Sequence, residues 1–311
     1  MTADGTPQRR RRRWWVLVAA PVLLVIGMVA PARADPGADP APGEWLYADT
    51  PAARFHYRKA GEGPPLILLP GGTLWSYTYR DIIPALATDH TVYAVDPPGT
   101  GYTTLRDPDF GYDVHAMADA LRQFVSAIGL THTSVLAHSL NGSVAVDFAA
   151  RYPEQVDRLA LLAPLVLDTR LNANMQLMRQ PVLGELATSA MTRDIYRASL
   201  RDAYAHPEIL TEDLTDTYWT PLSRPENRTA MWKQPRHLDL ATVQREASEV
   251  RADTLILWGE NDRVVDPSQA QPLARLIPTA KLRIVPGAGH NVHEDDPATV
   301  TSALTEFFGP H

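Results

Sequence analysis

The chain has 311 residues, 45% of them hydrophobic and 21% charged, with no cysteine and a formal net charge of −7. Such a composition suits a globular protein with ample core. The missing cysteines exclude disulfides, thiolate metal sites and a cysteine nucleophile, and the acidic balance argues against a general nucleic-acid binder.

An unbroken arginine run at 9–13 precedes an apolar stretch at 14–29, and Ala32-Arg33-Ala34 follows. A basic region, an apolar region and an A-x-A site predict a secretory signal peptide over 1–34, so the chain is expected to be exported. The alternative is an N-terminal membrane anchor, if the segment stays uncleaved. The apolar stretch, 16 residues with Pro21 and Gly27 inside it, is short of the roughly 20 that a comfortable span needs. Removing residues 1–34 takes away six Arg and one Asp, which leaves 23 basic and 35 acidic residues and a net charge of −12.

Residues 35–52 are expected to be a linker, rich in Pro, Gly, Ala and Asp up to Glu44 and without an apolar period. Residues 53–59 alternate like a strand. Residues 66–69 are a continuous apolar run ended by Pro70-Gly71-Gly72, as a buried strand requires. Residues 79–87 read as a helix despite Pro84, and 91–95 as another buried strand. Asp113 is placed to cap a helix whose Met117, Leu121, Phe124, Val125 and Ile128 share one face, and Gly129 ends it. A strand at 133–137, a helix at 140–152 and a strand at 158–163 continue the alternation. It stops near Asp168. Residues 168–250 read as a helical cap rich in Met, Trp and Tyr. Strands at 254–258 and 281–285 and helices at 268–276 and 298–308 then resume the pattern. The prediction is an α/β fold: a mostly parallel central sheet flanked by helices, with its core at 53–167 and 251–311 and the cap inserted between.

The strand at 133–137 runs into His138-Ser139-Leu140-Asn141-Gly142 and then a helix. Strand, sharp turn with a central serine, helix is the form of a nucleophile elbow: the turn lifts the serine hydroxyl above the sheet and aims the free N–H groups of the helix start at it. The usual pattern is G-x-S-x-G; here the flanks are Ala137 and Asn141, with Gly142 one place later. Read alone, Ser139 is equally an ordinary helix N-cap. Two downstream strands end in loops that carry the complementary groups, Gly259-Glu260-Asn261-Asp262 and Gly287-Ala288-Gly289-His290. Serine is a poor nucleophile at neutral pH, so His290 is expected to take its proton and Asp262 to hold the imidazole in the productive tautomer. Asp266 and His293 are the competing candidates; a capping Asp262 and a surface His290 are the bland reading.

With LLPGGT at 68–73, DPPGTGYTT at 96–104, AHSLNG at 137–142, LILWGENDRVVDP at 255–267 and PGAGHNVHEDDP at 286–297, the chain resembles the α/β-hydrolase superfamily with a helical cap. The resemblance implies a Ser139–Asp262–His290 triad, and an oxyanion hole from the backbone N–H groups of Gly72 and Leu140. Pro70 stands where that loop usually has histidine. Residues 75–80 and 218–236 resemble the haloalkane dehalogenase and epoxide hydrolase branch, whose nucleophile is an aspartate. Ser139 at that position, with Gly72 and Leu140 unable to hold halide through a side chain, argues against both of those activities. The expected function is therefore an exported serine hydrolase that cleaves a carboxylic ester, lactone or thioester through an acyl-enzyme. A C–C bond hydrolase or an acyltransferase on the same triad, or a catalytically weak binding module, is the alternative. The expected partner is a small apolar ester-like molecule, with no nucleic acid, and with membrane only through an uncleaved N-terminus. Trp75, Met175 and Trp219 are candidate pocket residues. No metal cluster or dinucleotide fingerprint is present, so no cofactor and no metal are implied.

Overall fold

The computed structural model describes residues 41–169 and 171–309, together with Met1. The signal peptide read at 1–34 lies outside the described residues. Among the described residues, no helix is long and apolar enough to cross a membrane.

The first strand, β1 (Glu44–Asp49), falls inside the expected linker and corrects that reading. It pairs antiparallel with β2 (Ala53–Ala60), where Trp45 stacks on His56 at 4.6 Å between ring centroids. Its apolar residues do not alternate cleanly, which hid it; ring stacking and an edge ladder supply what periodicity lacks. The strand β3 (Pro65–Leu69) sends Ile67 and Leu69 into one core and Leu66 and Leu68 into the other. A strand covered on both faces reads as an unbroken apolar run for that reason.

The helix expected at 79–87 is instead a 3₁₀ turn, Ser76–Tyr79, and a one-turn helix α1 (Ile83–Leu86) with Pro84 at its start. Tyr79 is drawn out of any continuous helix by burial of its ring and by its hydroxyl, which donates to the Leu69 carbonyl at 2.7 Å. After β4 (Thr91–Val95) and the two-residue β5 (Thr104–Leu105) comes α2 (Val114–Ala127), capped by Asp113, whose side chain accepts from the Ala116 N–H at 2.9 Å. Then follow β6 (Thr133–His138), α3 (Leu140–Arg151) and β7 (Val156–Leu162).

Six α-helices of the described residues lie between β7 and the next strand. They are α4 (Ala173–Arg179), α5 (Leu183–Ser189), α6 (Arg193–Arg201), α7 (Glu212–Leu222), α8 (Pro225–His237) and α9 (Leu240–Ala247). The chain re-enters the sheet as β8 (Asp253–Gly259), crosses through α10 (Ala270–Leu276) to β9 (Ala280–Val285), and ends in α11 (Val292–Asp295) and α12 (Pro297–Phe308).

The strand order is β1-β2-β4-β3-β6-β7-β8-β9, with β5 beside β2. From β4 to β9 every neighbouring pair is parallel, and only β1, β2 and β5 pair antiparallel. One core packs Phe124 of α2, Phe148 of α3 and Leu273 of α10 on the sheet; the opposite core packs Leu86 of α1 and Leu304 and Phe308 of α12. A third cluster joins Leu74 and Trp75 to Tyr196, Tyr204 and Tyr218 of the helical insertion. In a parallel sheet the carboxyl ends of the strands share one edge, where loops carry chemistry on a rigid base. Ser139, Asp262 and His290 all sit on that edge, just after β6, β8 and β9.

Candidate active site

The turn from β6 into α3 forces Ser139 to φ 54° and ψ −122°, a left-handed conformation for a residue with a side chain. Strain of this kind persists only where the surroundings impose it. The Ser139 N–H donates to the Leu162 carbonyl at 2.9 Å, and the Ser139 carbonyl accepts from the N–H groups of Gly142 and Leu165, both at 2.9 Å. Gly142 is required by close approach: a Cβ there would lie 2.6 Å from the Pro164 side chain. The Ser139 hydroxyl does not cap α3. It lies 2.8 Å from His290 Nε2 instead, which removes the N-cap reading.

His290 Nδ1 lies 2.8 Å from Asp262 Oδ2. A carboxylate only accepts, so Nδ1 carries the hydrogen and Nε2 is left to accept from the serine. The other Asp262 oxygen accepts from the N–H groups of Val264 and Val265, at 2.8 and 2.9 Å. Asp262 is 6% exposed and His290 4%, so the relay is shielded from water. The competing residues are engaged elsewhere: Asp266 accepts from the Ser268 N–H at 2.8 Å, and His293 is fully buried with Nε2 2.7 Å from Thr78 Oγ1.

Among the described residues, the backbone N–H groups of Gly72 and Leu140 donate to no protein group. The two residues touch, since a Cβ on Gly72 would lie 2.9 Å from Leu140 Cδ2. A serine hydroxyl held by an imidazole, beside two free N–H groups, is an arrangement for attack on a carbonyl carbon with stabilisation of the oxyanion. The pocket candidates do not form one group. Trp75 is buried beside Gly72 with its Nε1 donating to the Thr217 carbonyl at 3.1 Å, and Trp219 packs on Tyr196 at 5.9 Å between centroids. Met175 lies apart from both, in a groove of about 270 Å³ that also reaches Asp262 and Val264.

Sequence reasoning missed a buried polar network behind the triad. Glu294 accepts from Thr78 Oγ1 at 2.6 Å, from Arg80 Nη1 at 2.9 Å and from the Tyr218 hydroxyl of α7 at 2.8 Å. Thr78 gives its one proton to Glu294, so the hydrogen between it and His293 comes from the histidine. Burial, with Arg80 and His290 nearby, pushes the His293 imidazole down to about 3. Burial likewise holds His138 well below the usual histidine range; its Nε2 donates to the His290 carbonyl at 3.1 Å and its ring packs on His290 at 4.8 Å. Both neighbours of the central imidazole are therefore neutral. The only sequence signal for this network was a cluster of charged and histidine residues after His290.

The model of the alpha/beta hydrolase fold family matches residues 64–297, well over half of the chain. A 2-hydroxy-6-oxononadienedioate/2-hydroxy-6-oxononatrienedioate hydrolase of Comamonas testosteroni is 28% identical over 246 residues, covering 76% of this chain and 85% of the relative. A 2-hydroxy-6-oxo-6-phenylhexa-2,4-dienoate hydrolase of Burkholderia cepacia is 27% identical over the same length and shares. Among solved structures, a meta-cleavage product hydrolase from Pseudomonas fluorescens IP01 superposes with a TM-score of 0.75 at 22% identity, covering 85% of this chain and 97% of that one. An epoxide hydrolase solved without ligand gives 0.76 at 26% identity, covering 86% of this chain and 99% of that one. With its serine elbow, its strand order and this match, the chain belongs to the α/β-hydrolase fold family.

Proposed function

We propose that this hydrolase cleaves a carbon–carbon bond beside a carbonyl group, using Ser139 as the nucleophile. The unbroken Ser139–His290–Asp262 chain, with both links at 2.8 Å, carries the assignment of the serine. The names of the curated relatives carry the choice of bond, because each is named as a hydrolase of an unsaturated 2-hydroxy-6-oxo acid. In such a substrate the 6-oxo carbon is the electrophile. His290 takes the Ser139 proton as the hydroxyl adds to that carbon, and the Asp262 carboxylate stabilises the imidazolium. The Gly72 and Leu140 N–H groups take the oxyanion. Collapse breaks the adjacent carbon–carbon bond, His290 returns the proton to the departing carbon fragment, and a water deprotonated by His290 frees the acyl group from Ser139.

Ester hydrolysis by the same steps is the second reading, and one observation favours it. The part-buried cation that follows the oxyanion loop, Arg80, is already neutralised by Glu294 and offers no free charge to a dienoate carboxylate. Turnover of 2-hydroxy-6-oxo-6-phenylhexa-2,4-dienoate and of p-nitrophenyl esters by the full chain separates the two. We expect kcat/KM for the dienoate to exceed that for any ester by about 10²-fold or more; turnover of esters alone would reverse the order. Export is part of the same proposal, on the strength of residues 1–34, and N-terminal sequencing of the secreted protein is expected to begin at Asp35.

A further inference from the structure

Two of the three departures from the usual motifs, Pro70 of the oxyanion loop and Asn141 of the elbow, are partners of each other. Asn141 Nδ2 donates to the Pro70 carbonyl at 2.5 Å, across 71 positions of sequence. The amide is 1% exposed, on the first turn of α3. A buried amide is costly unless bonded, and a proline offers no N–H, so this contact holds the start of the loop from the elbow side.

The next peptide is held as well, because the Gly71 carbonyl accepts from the Leu74 N–H at 3.1 Å. In a trans peptide the C=O and the following N–H point in opposite directions, so fixing the Gly71 carbonyl aims the Gly72 N–H away from Leu74. The loop also abuts the elbow: a Cβ on Gly71 would lie 2.7 Å from His138 Nδ1 and 3.4 Å from Ser139 Cβ. Pro70 is two residues before Gly72, and Asn141 is one residue after Leu140. The bond between them therefore closes a short ring through both free N–H groups.

We propose that Asn141 is a positioning residue of the oxyanion hole: by holding the Pro70 carbonyl, its amide sets the Gly72 N–H at a fixed place relative to the Leu140 N–H. The inference rests on the reading of Ser139 as the nucleophile. It assigns a role to a side chain where the usual motif has glycine, beside a loop that lacks its usual histidine.

Phosphonylation by an alkyl fluorophosphonate tests it without knowledge of the substrate. The phosphonyl oxygen occupies the oxyanion hole as the Ser139 Oγ–P bond forms and fluoride leaves, and His290 takes the serine proton. Asn141→Leu keeps the size and removes the donor; Asn141→Ala is the second variant, should the first not fold. Active fraction is read from the end-point stoichiometry by intact mass, and the first-order constant k2 is separated from the encounter constant KI. We expect k2 to fall about 10-fold or more, less than the 10²–10³-fold typical of deleting a donor outright, with KI changed by no more than about 2-fold. A loss of fold lowers stoichiometry, whereas misplacement of a donor lowers k2 at full stoichiometry. Unchanged k2 in both variants overturns the proposal, as does weaker encounter with k2 intact. Labelling of Ser139→Ala at another residue overturns the nucleophile assignment instead, so the two failures are distinguishable.

Discussion

Among the described residues, two buried histidine–aspartate pairs stand at the sheet edge, and one of them reaches a serine. His290 Nδ1 meets Asp262 at 2.8 Å, and His56 Nδ1 meets Asp96 at 2.7 Å. Both aspartates follow strands, and both take two further backbone N–H donors: Val264 and Val265 for Asp262, Ser76 and Tyr102 for Asp96. Beyond the imidazole they differ. His290 presents Nε2 to a strained serine beside two unbonded N–H groups. His56 is walled in by rings, stacked on Trp45 and edged by Tyr102 at 5.3 Å between centroids. Burial works against the charged form of Asp96, but hydrogen bonds from His56, Ser76 and Tyr102 hold its carboxyl below the ordinary range, so this carboxylate is a staple joining β2 to the loops after β3 and β4. A histidine–aspartate contact is thus no signature of catalysis by itself. What sits on the far imidazole nitrogen decides.

The contrast is broken most directly at the first pair. Ser139→Ala is expected to lower kcat by about 10⁶-fold, as in other triads, with the thermal midpoint almost unmoved. Asp262→Asn, which leaves the carbonyl for Val264 and Val265 but disfavours the needed tautomer, is expected to cost about 10⁴-fold in kcat. The second pair reverses the pattern. His56→Ala leaves the buried Asp96 short of a donor and is expected to cost about 1–3 kcal/mol of stability in a denaturant titration, with kcat changed only a few-fold. If His56→Ala abolished turnover in folded protein, the division between catalytic pair and staple would be wrong.

The smallest effect belongs to a third pair, His115 and Asp147, 2.5 Å apart between α2 and α3. Glu246 of α9 adjoins it, and burial together with the neighbouring Asp147 carboxylate raises its carboxyl from an ordinary 4.5 to about 7; His115 and Arg151 act in the opposite direction. A carboxyl raised on folding favours the folded state in its neutral form, so that stability is full below the unfolded value and is lost as pH rises through about 7. Glu246→Gln is expected to flatten the fall of the thermal midpoint between about pH 5 and about pH 8. An identical slope in the variant would assign the pH dependence to other groups.

How far these features could be read in advance follows from their range along the chain. The parallel sheet was legible because strands covered on both faces, such as β3 and β6, are unbroken apolar runs. The capped helix α2 was legible from Asp113 and one apolar face. The three residues of the relay were legible because each lies in the turn or loop that follows a strand. β1 was not, since it is defined by stacking of Trp45 on a residue of the next strand rather than by its own pattern. Tyr79 was placed in a helix because nothing local reveals that its hydroxyl serves the Leu69 carbonyl. Asn141 was legible only as a departure; its partner is a carbonyl 71 positions away, which no local spacing encodes. Glu294 and Arg80 were invisible for the same reason, being bonded across 214 positions. Met175 was grouped with Trp75 and Trp219 by residue type, and the fold separates them.

Everything proposed for this site depends on Ser139 being the activated nucleophile. The most direct measurement is peptide mapping by mass spectrometry after treatment of the full chain with a fluorophosphonate. One adduct per chain is expected, located on Ser139, absent from Ser139→Ala and formed far more slowly in His290→Ala. An adduct on another residue, or hydrolysis that survives unchanged in Ser139→Ala, would contradict it.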